Sequence, residues 1–428
     1  MIIPYWEDLA QVRIRAARPF KTSQIFMRAI HHRPIYVRFH ALIALGFLFG
    51  IVYGAFSLVL PILADKVFAN IAILGLVFAL PELFGIFLDI PLGAFANRFG
   101  RRNTIFYSGV LLAVSAFIFI KFPNPFLFLL TLIFYELATQ AYIIPADAEL
   151  MALSPGRRAG SFNGITEGFH NFGYALGPMI AGWLLVWSVP SALWFAFAGS
   201  VAMILISTLF LPRENRSEPF FSSISDVWRR DKVFLSGIKE FKQLGFIGSY
   251  LVFLFFVSAV HLGFINILEP IYTTDLGFNE KFVGLIFAGF TLPFLLVSFY
   301  VGKYIDKQGA KGVTVSGLFL MAISMIGFGI SINPIVLFLF ALVHGVGEAF
   351  LLVSVMSMID ELSSYHTKER ISGVKVFAES MGFFVGPLVA GIAVAFLNFS
   401  PTFISLGSVT LALALVTRFV SFKIRAND

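Results

Sequence analysis

Five glutamates and one histidine, Glu82, Glu136, Glu167, Glu348, Glu379 and His344, fall inside long apolar runs of a 428-residue chain. A carboxyl buried among apolar groups holds its proton more tightly than in water, so it can load and release protons near neutral pH. It also attracts cations, and a cation beside it favours the charged form and expels the proton. Spacing groups some of these residues. His344 and Glu348 are four apart, hence on one face of a helix. Glu167, His170 and Asn171 cluster on one side of another helix. Each has a bland alternative. Lys375, four residues before Glu379, can neutralise it as a structural pair. His261 stands alone and reads as a packing histidine. Asp147 and Glu149 read as balancing Arg157 and Arg158. Glu82 follows Pro81 and can serve backbone groups freed by the kink.

The elements that must position these groups are membrane helices. The chain is 58% hydrophobic and only 13% charged, with 53 Phe against 12 Tyr and 5 Trp, and its mean hydropathy is +0.88. A soluble domain is about 25% charged, so a soluble enzyme and a disordered chain are both excluded. A helix needs about 20 mostly apolar residues to cross a bilayer. Twelve such windows occur, at 41–64, 71–92, 103–122, 125–147, 159–187, 190–211, 245–268, 279–302, 312–331, 334–359, 370–398 and 401–421. The fold class is therefore an all-α membrane protein with twelve transmembrane helices. At ~1.5 Å per residue, Glu82 and Glu136 lie about 16 Å from the span ends, near the midplane, and Glu379 lies about 13 Å in. There is no Cys, no phosphate loop and no His-Glu-x-x-His, so no metal site or cofactor is expected.

Orientation follows from the basic residues. With the N-terminus inside, 27 Lys and Arg fall on the cytoplasmic side and three, Lys66, Lys121 and Lys281, outside. This positive-inside split predicts cytoplasmic termini and accounts for the +7 net charge without nucleic acid. MIIPY runs straight into polar residues, so the first span is expected to act as the insertion signal. The expected divisions are a tail at 1–40, which can form an interfacial helix, a six-helix bundle at 41–211, a cytoplasmic loop at 212–244, a second bundle at 245–421 and a tail at 422–428.

The two bundles are copies. Gly75-Leu-Val-Phe-Ala79 recurs as Gly284-Leu-Ile-Phe-Ala288, 209 residues later. Gly93, Asn97, Arg98 and Gly100, followed by Arg101, recur at the same offset as Gly302, Asp306, Lys307 and Gly309. Gly173, Gly177, Pro178 and Gly182 recur as Gly382, Gly386, Pro387 and Gly391. Such glycines let membrane helices approach closely, and each proline removes a helical hydrogen bond. Packing alone could explain them. An acid in the loop motif can also sit at a neighbouring helix N-terminus. Asp306 can do so fully, whereas Asn97 brings no charge and predicts a weaker latch.

In span number, loop lengths, repeat and the loop motif after spans 2 and 8, residues 41–421 resemble the major facilitator superfamily of secondary transporters. The Gly-Pro pattern of span 5 resembles its drug/proton antiporter branch, although the branch's span-4 arginine is missing: the stretch reads Leu137-Ala-Thr-Gln140-Ala141. The resemblance implies two pseudo-symmetric six-helix bundles around a midplane cavity. It also implies alternating access, a small-molecule substrate and efflux of amphipathic solutes or drugs driven by the proton gradient. Glu136, His344 and Glu348, then Glu379, Glu167 and Glu82, are the expected coupling or substrate groups. A monomer in a prokaryotic cytoplasmic membrane is expected, with lipid as its partner. The alternatives are a sugar, metabolite or lipid carrier of the same fold, coupled or not, and a non-transporting receptor or scaffold.

Overall fold

The structure, a computed structural model, describes residues 35–68, 70–122, 124–153, 159–212, 245–362 and 365–420. The expected interfacial helix before Ile35, most of the central loop, the C-terminal tail, and Arg157 with Arg158 lie outside the described residues. Among those described there are twelve long helices: α1 (Ile35–Val67), α2 (Ile71–Phe99), α3 (Arg101–Lys121), α4 (Pro125–Leu153), α5 (Ala159–Leu185), α6 (Val189–Phe210), α7 (Gly245–Asp275), α8 (Glu280–Gln308), α9 (Ala310–Ile330), α10 (Pro334–Leu362), α11 (Tyr365–Leu397) and α12 (Phe399–Phe419).

Several helices outrun their apolar windows. Hydropathy marks where lipid contact ends, whereas backbone hydrogen bonding continues until a cap stops it. The caps repeat with the 209-residue period. Gly100 (φ 102°) and Gly309 (φ 76°) close α2 and α8 in a conformation that favours glycine, each N–H donating to a carbonyl four residues back. Asn70 and Asn279 open the same two helices, their side chains accepting from the N–H of Ala72 and Lys281.

The packing repeats as well. In the first half α1 packs on α5 and α6, α3 on α4 and α6, and α2 on α4; in the second half α7 packs on α11, α9 on α10 and α12, and α8 on α10. A Cβ on Gly54 would lie 2.8 Å from Pro178 Cδ, and one on Gly263 would lie 2.9 Å from Pro387 Cδ. The glycine face of α5 thus seats α1, and that of α11 seats α7. Large apolar side chains such as Phe396, Phe419 and Trp187 stay exposed, as suits a lipid-facing surface. Among the described residues nine helical stretches are long and apolar enough to span a membrane by hydropathy alone.

The halves meet along two seams, α2 on α11 and α5 on α8, with α1 against α7 between them. A Cβ on Gly75 would lie 2.9 Å from Gly391 Cα, and one on Gly284 would lie 3.1 Å from Gly182 Cα. Residues 75 and 284, like 182 and 391, are repeat equivalents, so the seams are copies of each other. Both lie at the end where α2 and α8 begin. There Lys281 Nζ sits 3.9 Å above the Trp183 ring, bridging α8 and α5.

At the opposite end Glu149 of α4 is bonded by Arg38 of α1 and lies 3.4 Å from Arg101 of α3. These arginines are its described partners. Arg102 donates to the Ser207 and Thr208 carbonyls, capping α6. Asp306 and Lys307 are exposed, and a Cβ at Gly302 would touch nothing within 4 Å. Among the described residues no helix terminus holds Asp306, although α8 packs on α10 beside it, with the Tyr304 and Phe350 rings 5.7 Å apart. The Asn97 side chain lies outside the described residues.

Candidate functional site

One face of α1 carries Tyr53, Phe56, Ser57 and Leu60 at helical spacing into a cavity between the halves. Pro81 and Glu82 of α2, Tyr135 and Glu136 of α4, Gly263 and Asn266 of α7, and Phe383 and Pro387 of α11 complete its wall. The cavity volume is about 70 Å³, room for a few waters rather than a drug-sized solute. Glu136 is buried and accepts a 2.9 Å bond from Gln140 Nε2 one turn on. Tyr53 and Tyr135 stack nearly parallel at 6.2 Å, and Tyr174 lies 5.4 Å from Tyr53. Tyr174 also reaches Asn266 Oδ1 across the halves, at 3.4 Å. Two carboxyls beside aromatic faces make an environment suited to an organic cation, which gains from both the charge and the ring quadrupoles.

A second polar cluster is buried wholly within the second half. His344 of α10 lies 3.3 Å from His261 Nδ1, and His261 Nε2 lies 2.8 Å from Thr410 Oγ1 of α12. The Thr410 hydroxyl donates to the Leu406 carbonyl, so it accepts from His261 Nε2–H. His261 Nδ1 must then accept from His344 Nε2–H. That assignment leaves His344 Nδ1 as a buried lone pair without a partner. One turn along α10, Glu348 is buried and accepts from Ser258 of α7 at 3.1 Å. His261 is thus no solitary packing residue: it ties α7 to α10 and α12.

The remaining expected residues separate from these clusters. Glu167 is exposed, 3.8 Å from His170, and lines a cavity of about 240 Å³ with Tyr142, Asp147 and His170, between α1, α4 and α5. Glu379 is partly exposed and pairs with Lys375 at 3.4 Å, while Lys375 also lies 4.7 Å over the Phe255 ring. The glycine-proline pairs Gly177–Pro178 and Gly386–Pro387 serve helix packing, and Pro387 alone also lines the midplane cavity. Among the described residues no cluster of three or more metal-binding side chains occurs.

The model of one family, the Major Facilitator Superfamily, matches residues 42–265 and again 251–427, one match for each half. The chain belongs to the major facilitator superfamily. The family is one of membrane transporters, not enzymes, and its members are multi-pass integral membrane proteins. Among similar proteins is Multidrug resistance protein 1 of Bacillus subtilis, 28% identical over 136 residues, which cover 32% of this chain and 35% of that one. Quinolone resistance protein NorA of Staphylococcus aureus is 29% identical over 150 residues, 35% of this chain and 38% of NorA. The chain therefore matches only a little over a third of the length of these relatives. The nucleoside transporter NupG has the same fold over 89% of this chain and 98% of its own, with a TM-score of 0.71 at 14% identity.

Within this superfamily fold, Tyr53, Tyr135, Tyr174 and Asn266 went unnoticed in the sequence as site residues. Their signal was faint: a polar tip on an otherwise apolar helix face. Only the helix rotation in the structure brings them to Glu136.

Proposed function

We propose that this chain is a proton-coupled exporter of small amphipathic cations, working by alternating access. The observation that carries the reading is the pairing of Glu82 and Glu136 with stacked tyrosines in a cavity between two pseudo-symmetric halves. A bound cation would stabilise both carboxylates, and its departure would leave them to take up protons. That competition links solute flux to proton flux. The separate His261–His344–Glu348 cluster in the second half supports an additional route for protons beside that competition. The seams at the α2 and α8 N-termini would form the outer gate, with the basic loops on the cytoplasmic side. The similarity to drug-resistance proteins fits this reading.

The test uses purified protein in liposomes with an imposed pH gradient and an internal pH dye. Cationic dyes, sugars, nucleosides and lysolipids are added in turn. Proton movement that depends on cationic dyes is the expected result. Proton movement with sugars or nucleosides only would assign a metabolite carrier. Binding without any flux would overturn transport.

A further inference from the structure

Glu269 of α7 has no place in the scheme above, yet its side chain is completely buried. Its Oε2 has no hydrogen-bond partner. Its Oε1 is 3.5 Å from the Thr273 hydroxyl, which already donates to the Glu269 carbonyl at 2.7 Å. A carboxylate in this position would be neither solvated nor paired. The charged and titratable groups on the surrounding elements are accounted for elsewhere. On α7 itself they are His261, bonded to His344 of α10, Tyr272, whose hydroxyl points at the Ser331 carbonyl, and Asp275, within electrostatic reach of Asp65 of α1, which has Lys66 beside it. On the first turn of α8 they are Glu280 and Lys281, the latter stacked on Trp183, whereas Lys303, Asp306 and Lys307 lie at the far end of that helix. On α11, Lys375 and Glu379 pair with each other, and Arg418 of α12 lies at the far end of that helix. Among the described residues none pairs with Glu269.

The repeat shows that packing does not demand this acid. Glu269 corresponds to Leu60 in the first half, and the prolines that follow, Pro61 and Pro270, also correspond. An apolar side chain satisfies the fold at the equivalent position. Placement suggests a use. Asp275, six residues on and about 9 Å along the helix, is exposed at the end sealed by the two seams. His261 lies eight residues back, about 12 Å. Pro270 has no N–H for the Asn266 carbonyl, so the helical ladder is broken beside the midplane cavity that Asn266 lines.

We propose that Glu269 is a proton-binding site separate from the midplane cavity, loaded from the sealed end when that end opens and discharged toward the His261–His344 pair. Only a proton moves: Glu269 passes from carboxylic acid to carboxylate as the His344 Nδ1 lone pair becomes an N–H. In the sealed conformation the acid is neutral, the form its dry surroundings permit, and it gives up the proton only as the halves part and water reaches the carboxylate. The proposal rests on the proton-coupled reading given above.

The experiment compares wild type, Glu269→Gln, Glu269→Asp and Glu269→Leu in liposomes, with ethidium as the probe. Two quantities are recorded, pH-driven uptake and ethidium exchange at equal pH. Glu269→Gln is expected to lose pH-driven uptake at least about tenfold while exchange stays within about twofold, as for loss of an intramembrane proton site. Glu269→Asp should recover part of the uptake, and Glu269→Leu should fold as the Leu60 position does. If wild type couples ethidium to protons and Glu269→Gln does so equally well, this proposal fails and the broader reading stands. If wild type shows no coupling, both fail. Loss of exchange together with uptake in a folded variant would make the role structural and overturn the proposal. Should the variants not fold, dicyclohexylcarbodiimide, which attacks protonated carboxyls in apolar settings, is applied to wild type. Inhibition of pH-driven uptake with Glu269 modified supports the proposal; full inhibition with Glu269 unmodified overturns it.

Discussion

Glu136 accepts a bond from the neutral amide of Gln140, and a carboxylate gains more from a cationic donor than from an amide. A protonated amine entering the cavity would supply one. Glu379 already has Lys375 at 3.4 Å in a partly exposed position, and such pairs contribute little. We therefore expect Glu136→Gln to cut ethidium uptake at least about tenfold, and Glu379→Gln to leave it within about twofold. The flat stack of Tyr53 on Tyr135 offers a ring face to the same cation. Removing it with Tyr53→Ala should raise KM by about 2- to 30-fold, the range of cation–π energies of about 0.5–2 kcal/mol. Equal uptake by all three variants in liposomes would remove the midplane cavity from the substrate path.

Among elements, the close approach of α2 to α11 and of α5 to α8 governs which end is shut. A Cβ at Gly391 would lie 2.8 Å from Gly75 Cα, contact with backbone that no side-chain rotation relieves. Gly391→Val should open that seam and shift the population toward the other conformation. Spin labels on cysteines placed at the ends of α2 and α11 would read this as a longer distance, and an unchanged distance would count against the seam as a gate. Much of this level was readable from residues. The 209-residue offset announced two copies of one bundle, and apolar windows located each helix. Charges inside those windows pointed to Glu136, His344 and Glu348, all buried in the structure. Other features were not readable, for physical reasons. A helix that is apolar all round gives no sign of its rotation, so the approach of His261 to His344 and of the tyrosines to Glu136 stayed hidden. Glu269 was missed because the window for α7 stopped at Leu268, the last residue before a carboxylate, while the helix itself runs on to Asp275.

For the whole molecule, the described seams between the halves lie at one end, and the cavity of about 240 Å³ lies toward the other. The chain has no cysteine, so single cysteines report access directly. Asp147→Cys, at an exposed position, should react fast with a water-soluble thiol reagent. Leu60→Cys, at a position buried in the wall of the midplane cavity, should react slowly and speed up when substrate drives the cycle. Equal rates would mean that the seam does not seal.

The stack of Lys281 on Trp183 spans the same seam. When the seam parts, the ammonium leaves the indole face and the ring meets a different polarity, which changes the brightness and colour of its emission. The chain has only five tryptophans. With Trp6, Trp187, Trp194 and Trp228 replaced by Phe, the remaining chromophore would signal each opening as light, without any attached dye.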